Sequence, residues 1–204
     1  MRAEIAGWKL ARPDLPRPRC RVRLICGPPA AGKTTYVRAH AAPDDIVIDL
    51  DEIAREHGFA RHRPASITAP LLEERNARLA ALANEPPQRV AWFIICAPSA
   101  SLRRWWADML DVLPDDVIVL TPPEDELRRR IMADPEREYV RSLHLGLVAQ
   151  WYAHERRDDP GTINGGFDLD GFPTDPLHPW NRNALQRTQV IEDSLRALPP
   201  LWRF

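Results

Sequence analysis

Lys33 and Thr34, which close the segment Gly27-Pro28-Pro29-Ala30-Ala31-Gly32-Lys33-Thr34, are the residues whose types and spacing most directly announce chemistry. The segment fits G-x-x-x-x-G-K-[ST], in which glycines let the backbone turn so that successive N–H groups converge on an anion. The N-terminus of the following helix closes that nest; the lysine then reaches the β- and γ-phosphates of a nucleotide and the hydroxyl ligates Mg²⁺. Chance alone would put the pattern in roughly one chain of this length in a hundred. Gly27, Pro28, Pro29, Ala30, Ala31, Gly32, Lys33, Thr34 and Thr35 are therefore the candidate nucleotide-binding residues, with ATP and Mg²⁺ the expected ligands.

Carboxylates come next. Ile46-Val47-Ile48-Asp49-Leu50-Asp51 predicts a strand that runs straight into a helix beginning near Glu52. On a strand, Asp49 and Asp51 share one face and Ile48 and Leu50 the other. Ligands bind at the carboxyl ends of the strands in an open parallel sheet, so both acids belong to the rim that carries the loop. Both are candidates for catalysis; the alternative is that one of them, Asp49 more than Asp51, only caps the helix that follows.

The elements that must hold these residues follow from periodicity. Val22 to Cys26 predicts a short strand before the loop, and Lys33 to His40 a helix after it. Arg89 to Cys96 is a continuous apolar run, as a central parallel strand covered on both faces requires. Val117 to Leu120 predicts a fourth strand. Helical patterns cover Ser66 to Asn84, Leu102 to Leu110 behind a serine cap, Glu124 to Asp134, and about Glu138 to Arg156. The charges of the Ser66–Asn84 segment read as a solvated face. Trp105 and Trp106 read as packed against the sheet, and Leu143, Leu147, Val148, Trp151 and Tyr152 as a buried stripe. These elements predict an α/β fold of three layers around a mostly parallel central sheet of four or five strands.

A chain of 204 residues suits one such domain. We expect an extended, proline-rich arm over 1–20, the domain over 21–157, and a long loop plus C-terminal helix over 158–204 packed on the same domain. The loop 158–183 is rich in Gly, Pro and Asn; it contains Asp168, Asp170 and Asp175, which match a calcium loop poorly, and His178-Pro179-Trp180-Asn181, a candidate lid. Net charge is −1, against the basic balance that a large nucleic-acid footprint demands. No apolar run approaches 18 residues and no apolar segment follows the N-terminal charges, so a cytoplasmic protein without membrane contact is expected. Cys20, Cys26 and Cys96 include no C-x-x-C pair and read as core thiols.

With the loop, the Asp49-Leu50-Asp51 strand end and the arginine-rich helix after the fourth strand in place, the chain resembles the small P-loop kinases over about residues 21–155. The resemblance is to the group containing bacteriophage polynucleotide kinase, zeta toxins and gluconate kinases, and to the phage-associated proteins usually called AAA family ATPases. It implies a P-loop NTPase fold and an ATP-dependent kinase that moves the γ-phosphate to a hydroxyl of a small molecule or a nucleic-acid end. Carried over residue by residue, it makes Lys33 catalytic, Asp51 the acceptor of the hydroxyl proton, and Arg130 and Arg137 the lid arginines. Thr34 holds Mg²⁺, and Asp49 supports the metal through water. Two positions depart from the pattern. Ala97 stands where many such proteins have an acid that helps hold Mg²⁺, and the substrate arginine expected three residues after Asp51 comes one place late, at Arg55. An ATPase that couples hydrolysis to a partner, and a nucleotide-binding module without catalysis, are the alternatives.

Overall fold

Four parallel strands, β1 (Arg21–Cys26), β2 (Ile46–Asp49), β3 (Val90–Ile95) and β4 (Val117–Val119), form one sheet in the order β2-β3-β1-β4. The computed structural model describes residues 13–59 and 65–155. β1 and β3 occupy the centre, paired from Arg21↔Val90 to Cys26↔Ile95. Their near-continuous apolar sequence follows from that position, because helices cover both faces of a parallel sheet.

Alternation along the strands sorts the core into layers. Val22, Leu24, Cys26, Ile48 and Phe93 pack on one side with helices α2 (Leu50–Glu56), α3 (Thr68–Ala81) and α4 (Ala100–Met109). Ile25, Trp92 and Ile94 point to the other side and meet Val37 of α1 (Lys33–His40). A third cluster joins Ala31 of the glycine loop to Leu127 and Ile131 of α5 (Glu124–Ala133) and Val148 of α6 (Arg141–Glu155). Trp106 is buried and meets Phe93 edge-on at 4.9 Å, the packing expected of it. Truncating an aromatic anchor of this kind costs about 3–5 kcal/mol.

The lead-in to β1 is tied to the domain. Leu15 packs on the core, the Arg19 N–H donates to Leu82 O at 3.0 Å, and Cys20 is buried. All three cysteines are free thiols.

Three expectations change. β2 ends at Asp49 and Leu50 opens α2, so the period-2 argument that put Asp49 and Asp51 on one strand face does not apply; Asp51 stands on the first helical turn. The charges of Ser66–Asn84 are not all solvated, because Arg75 is only 5% exposed. Leu143 is 59% exposed and leaves the buried stripe to Val148 and Trp151. It stands in the first turn of α6, just after a 3₁₀ segment, Pro135–Val140, whereas the buried residues of α6, Val148, Trp151 and His154, all lie in its later turns. The loop 158–183, with its acidic and His178-Trp180 motifs, and the C-terminal helix lie outside the described residues. Among those described, no helix is long and apolar enough to cross a membrane.

Candidate functional site

The glycine loop sits between the carboxyl end of central strand β1 and the N-terminus of α1. Gly27 N–H donates to Cys96 O beyond β3, and Leu120 N–H beyond β4 donates to Cys26 O, so both neighbouring strands brace the loop. The approach is close enough to demand glycine: a Cβ on Gly27 would lie 2.6 Å from the Leu120 carbonyl oxygen. At Gly32 the demand is conformational, since it caps α1 with φ 92°, in the left-handed region. No side chain caps α1 there, which leaves its first N–H groups to the loop. Pro28 and Pro29 have no N–H, so donors for an anion come from Ala30 onward.

Lys33 Nζ donates to Gly27 O at 2.7 Å and Pro28 O at 2.9 Å. Burial pushes its pKa down, and the nearby Asp49 and Asp51 carboxylates oppose that shift. Thr34 Oγ1 donates to Asp49 Oδ2 at 3.1 Å. The other Asp49 oxygen accepts from the Asp51 N–H at 3.1 Å and caps α2. Asp49 thus performs the capping role and also reaches the loop. Burial, then repulsion from Asp51, raises its pKa, while its two hydrogen bonds and Lys33 work against the rise.

These groups open onto a cavity of about 910 Å³. Its floor is the loop with Thr35 and the ends of the central strands. One wall is α2 and α3, presenting Asp51, Arg55 and Arg75; the opposite wall is α5, the 3₁₀ segment and α6, presenting Arg130, Arg137 and His144. Sheet order makes this division, because α2 follows edge strand β2 and α5 follows edge strand β4. Six cations line the cavity (Lys33, Arg38, Arg55, Arg75, Arg130, Arg137) against four carboxylates, Asp49, Asp51, Asp134 and Glu136. A chain of net charge −1 has thus concentrated positive charge in one concavity.

Of the three consecutive arginines on α5, Arg130 alone lines the cavity; its Nη1 donates to Ala30 O at 3.1 Å and its Nε to Glu126 at 2.7 Å. Arg128 pairs with Glu124 and Arg129 with Glu126. Arg137, 9% exposed, donates to Asp134 at 2.7 Å and to His144 Nδ1 at 3.0 Å. Arg55 is paired with Glu52 at 2.5 Å and still lines the cavity, one helical turn beyond Asp51. The place-late arginine therefore lies on the same wall as Asp51, while Ala54 is buried in the core.

After β3 no acid is present. Arg103 Nη1 instead donates to Ala97 O at 3.1 Å and Pro98 O at 2.9 Å, bracing a turn in which Ala97 has φ 45°. Burial raises the thiol pKa values of Cys26, to about 12, and of Cys96, which keeps both neutral beside the loop.

Among the described residues no group of three or more His, Cys, Asp or Glu could hold a metal by itself. Thr34 and Asp49 nevertheless bring two hard oxygen donors together at the loop. That set fits Mg²⁺, which takes few protein ligands and completes its shell with water and phosphate oxygens.

A sheet of parallel strands flanked by helices, with the glycine loop between its central strand and the next helix, defines a nucleotide-binding protein of the P-loop NTPase fold. The family model described as AAA domain matches residues 22–150, well over half of the chain, and the protein belongs to that family. No curated protein and no solved structure matches it.

Sequence reasoning missed Arg75, His144 and Arg38 as cavity residues. Arg75 had a signal: it stands four residues after Leu71 and four before Leu79, in the middle of the stripe that α3 buries.

Proposed function

We propose that the chain is an ATP-dependent phosphotransferase that moves the γ-phosphoryl group of ATP to a hydroxyl of a small molecule or a nucleic-acid end. The observation that carries this reading is the position of Asp51, on the first turn of α2, in the wall of the cavity whose floor is the phosphate loop. Phosphoryl transfer depends on positioning and charge neutralisation more than on covalent chemistry.

In this reading the loop N–H groups and Lys33 hold the β- and γ-phosphates, and Thr34 and Asp49 hold Mg²⁺. When bound, Mg²⁺ would neutralise phosphate charge. The acceptor oxygen attacks the γ-phosphorus in line while Asp51 takes its proton. As the new O–P bond forms, the bond from phosphorus to the bridging oxygen breaks and ADP leaves with that electron pair. Arg130 and Arg137 stabilise charge on the group in flight. The alternative of a partner-coupled ATPase requires a residue that positions the attacking water, and the turn after β3 offers Cys96-Ala97 in that place.

The test is γ-labelled ATP against a panel of nucleosides, oligonucleotide ends and sugar acids, with wild type and Asp51→Asn. Labelled acceptor from wild type, lost in Asp51→Asn at unchanged ATP affinity, is the expected result. Undiminished transfer by Asp51→Asn would refute the base assignment, and inorganic phosphate release without any labelled acceptor would favour the ATPase.

A further inference from the structure

Arg137 is held in the cavity wall by two partners of different kinds. Its Nε donates to Asp134 Oδ2 at 2.7 Å, and its Nη1 donates to His144 Nδ1 at 3.0 Å. A guanidinium has donors only, so the ring nitrogen it meets must present a lone pair. The contact therefore requires a neutral imidazole with its proton on Nε2. Asp134 is itself fixed, because its Oδ1 accepts from the Glu136 N–H at 3.0 Å at the start of the 3₁₀ segment. His144 comes from the opening turn of α6, and both it and Arg137 line the cavity beside Arg130. A guanidinium held at one nitrogen can swing about that bond; held at two, by partners on separate elements, its plane is set.

We propose that His144 is a positioning residue for Arg137: as the neutral imidazole it aims the guanidinium at the transferring group, and on taking a proton it releases it. This rests on the phosphotransferase reading and adds to it a residue and a pH response. A proton on Nδ1 replaces the lone pair with an N–H and sets a second positive charge against the guanidinium. Attraction becomes repulsion, and Arg137 is left to Asp134. The charged groups around the imidazole pull in both directions. Asp134 and Glu136 favour the protonated form; Arg137, Arg130 from α5 and Arg141, three residues earlier on α6, oppose it. Arg103 of α4 meets α6 two turns further on, over the Trp151 ring. An ordinary imidazole titrates at about 6.5, so the response falls at the edge of the neutral range. Arg130 is held differently, by the Ala30 carbonyl and Glu126, neither of which changes charge near neutrality. Of the two arginines on this wall, Arg137 is the one whose aim depends on pH.

Two measurements test this. The first is nitrogen magnetic resonance of the imidazoles in the full chain without nucleotide, titrated through the neutral range, with His144→Asn assigning the signal. At neutral pH the Nε2–H tautomer is expected. In Arg137→Gln the midpoint should rise by about half a unit or more, since a neighbouring cation has gone. An Nδ1–H tautomer, which is read without any change at Arg137, or a midpoint indifferent to Arg137, overturns the inference. The second is phosphate release from γ-labelled ATP against pH, with water as the acceptor, or the first compound of the acceptor panel to become labelled where water is too slow. His144→Leu, which removes the acceptor atom, should lower kcat about fivefold or more at neutral pH with KM for ATP within about twofold. His144→Asn, whose Oδ1 stands about where Nδ1 does, should recover most of that loss. Because an amide does not titrate, it should also move the acid limb of kcat down by about a pH unit or more. In an Arg137→Gln background, His144→Asn should leave the limb where it is. Equal losses from the two His144 variants with an unmoved limb mean packing alone and overturn this inference, leaving the phosphotransferase reading in place. Wild type that binds no ATP, or passes phosphate neither to water nor to any compound of the panel, overturns both.

Discussion

The floor of the cavity and its α2–α3 wall are built in opposite ways. The floor is eight consecutive residues whose backbone does the binding, and its conformation is fixed locally by Gly32 and braced by the two strands beside β1. The wall is assembled from side chains on two helices: Arg55 beside Glu52, Arg75 against Trp106 and Asn76, and Asp51 on a helical turn that Asp49 caps through the Asp51 backbone N–H. A backbone site tolerates sequence change around a few invariant geometries, whereas a side-chain site changes its ligand with a single substitution. The floor therefore defines the class of the protein; under the phosphotransferase proposal the wall would be where its substrate is chosen.

That contrast can be broken or sharpened experimentally. Lys33→Ala should lower transfer by about 10³-fold or more, because it removes the cation that accompanies charge onto the transferring group; γ-labelled ATP turnover measures it. Asp51→Asn should lower transfer by about 10²–10⁴-fold while equilibrium binding of a fluorescent nucleotide stays within twofold, the split expected if wall and floor work separately. Arg130→Ala should cost about 10²-fold in kcat, and Arg128→Ala on the same helix should leave the rate unchanged, since only the former faces the loop. Equal losses from the two arginines would mean that the helix contributes a diffuse field and no specific contact.

The smallest effect concerns stability and has an unusual sign. Asp49 has a folded pKa above its ordinary value of ~3.9, so the stabilisation it contributes is complete below that value and is lost as pH rises through the folded pKa. Asp49→Asn keeps a cap and an acceptor for Thr34 without the buried charge. Its melting temperature should therefore exceed that of wild type at pH 7 without nucleotide, with the difference closing in acid. Mg²⁺ with ATP should narrow or reverse the order, because wild type, which keeps the Asp49 carboxylate for the metal, then gains the larger ligand stabilisation. Paired thermal melts at three pH values, with and without Mg²⁺ and ATP, decide it.

What could be read from the sequence follows the same division. The loop, its flanking strand and helix, the apolar run of β3 and the serine cap of α4 are set by neighbours in the chain, so their patterns are visible in it. Asp49 and Asp51 were brought to the rim by a strand argument that fails at Leu50, yet both line the cavity, because a helix starting at the strand end keeps its first turn on the same rim. Arg75 was lost among the charges of its helix. Periodicity assigns it to the buried face, but composition suggests solvent, and only the tertiary fit of α3 against Trp106 decides between them. Leu143 departs in the other direction: it keeps the helical phase of Leu147 and Trp151 but stands in the first turn of α6, and only the later turns are buried.

The strand order has a consequence for how the protein is made. β1 is synthesised first, but both strands that brace it come late: β3 begins at Val90 and β4 at Val117, and the Leu24↔Val117 pairing spans most of the domain. The Gly27 N–H and the Cys26 carbonyl find their partners only when those strands arrive. The phosphate loop is thus among the last features to take shape on a nascent chain, and closing so long a loop is slow. Nucleotide cannot chaperone the early stages of folding. It can only reward a finished sheet, so addition of ATP during refolding should raise the final yield of native protein without hastening its first phase.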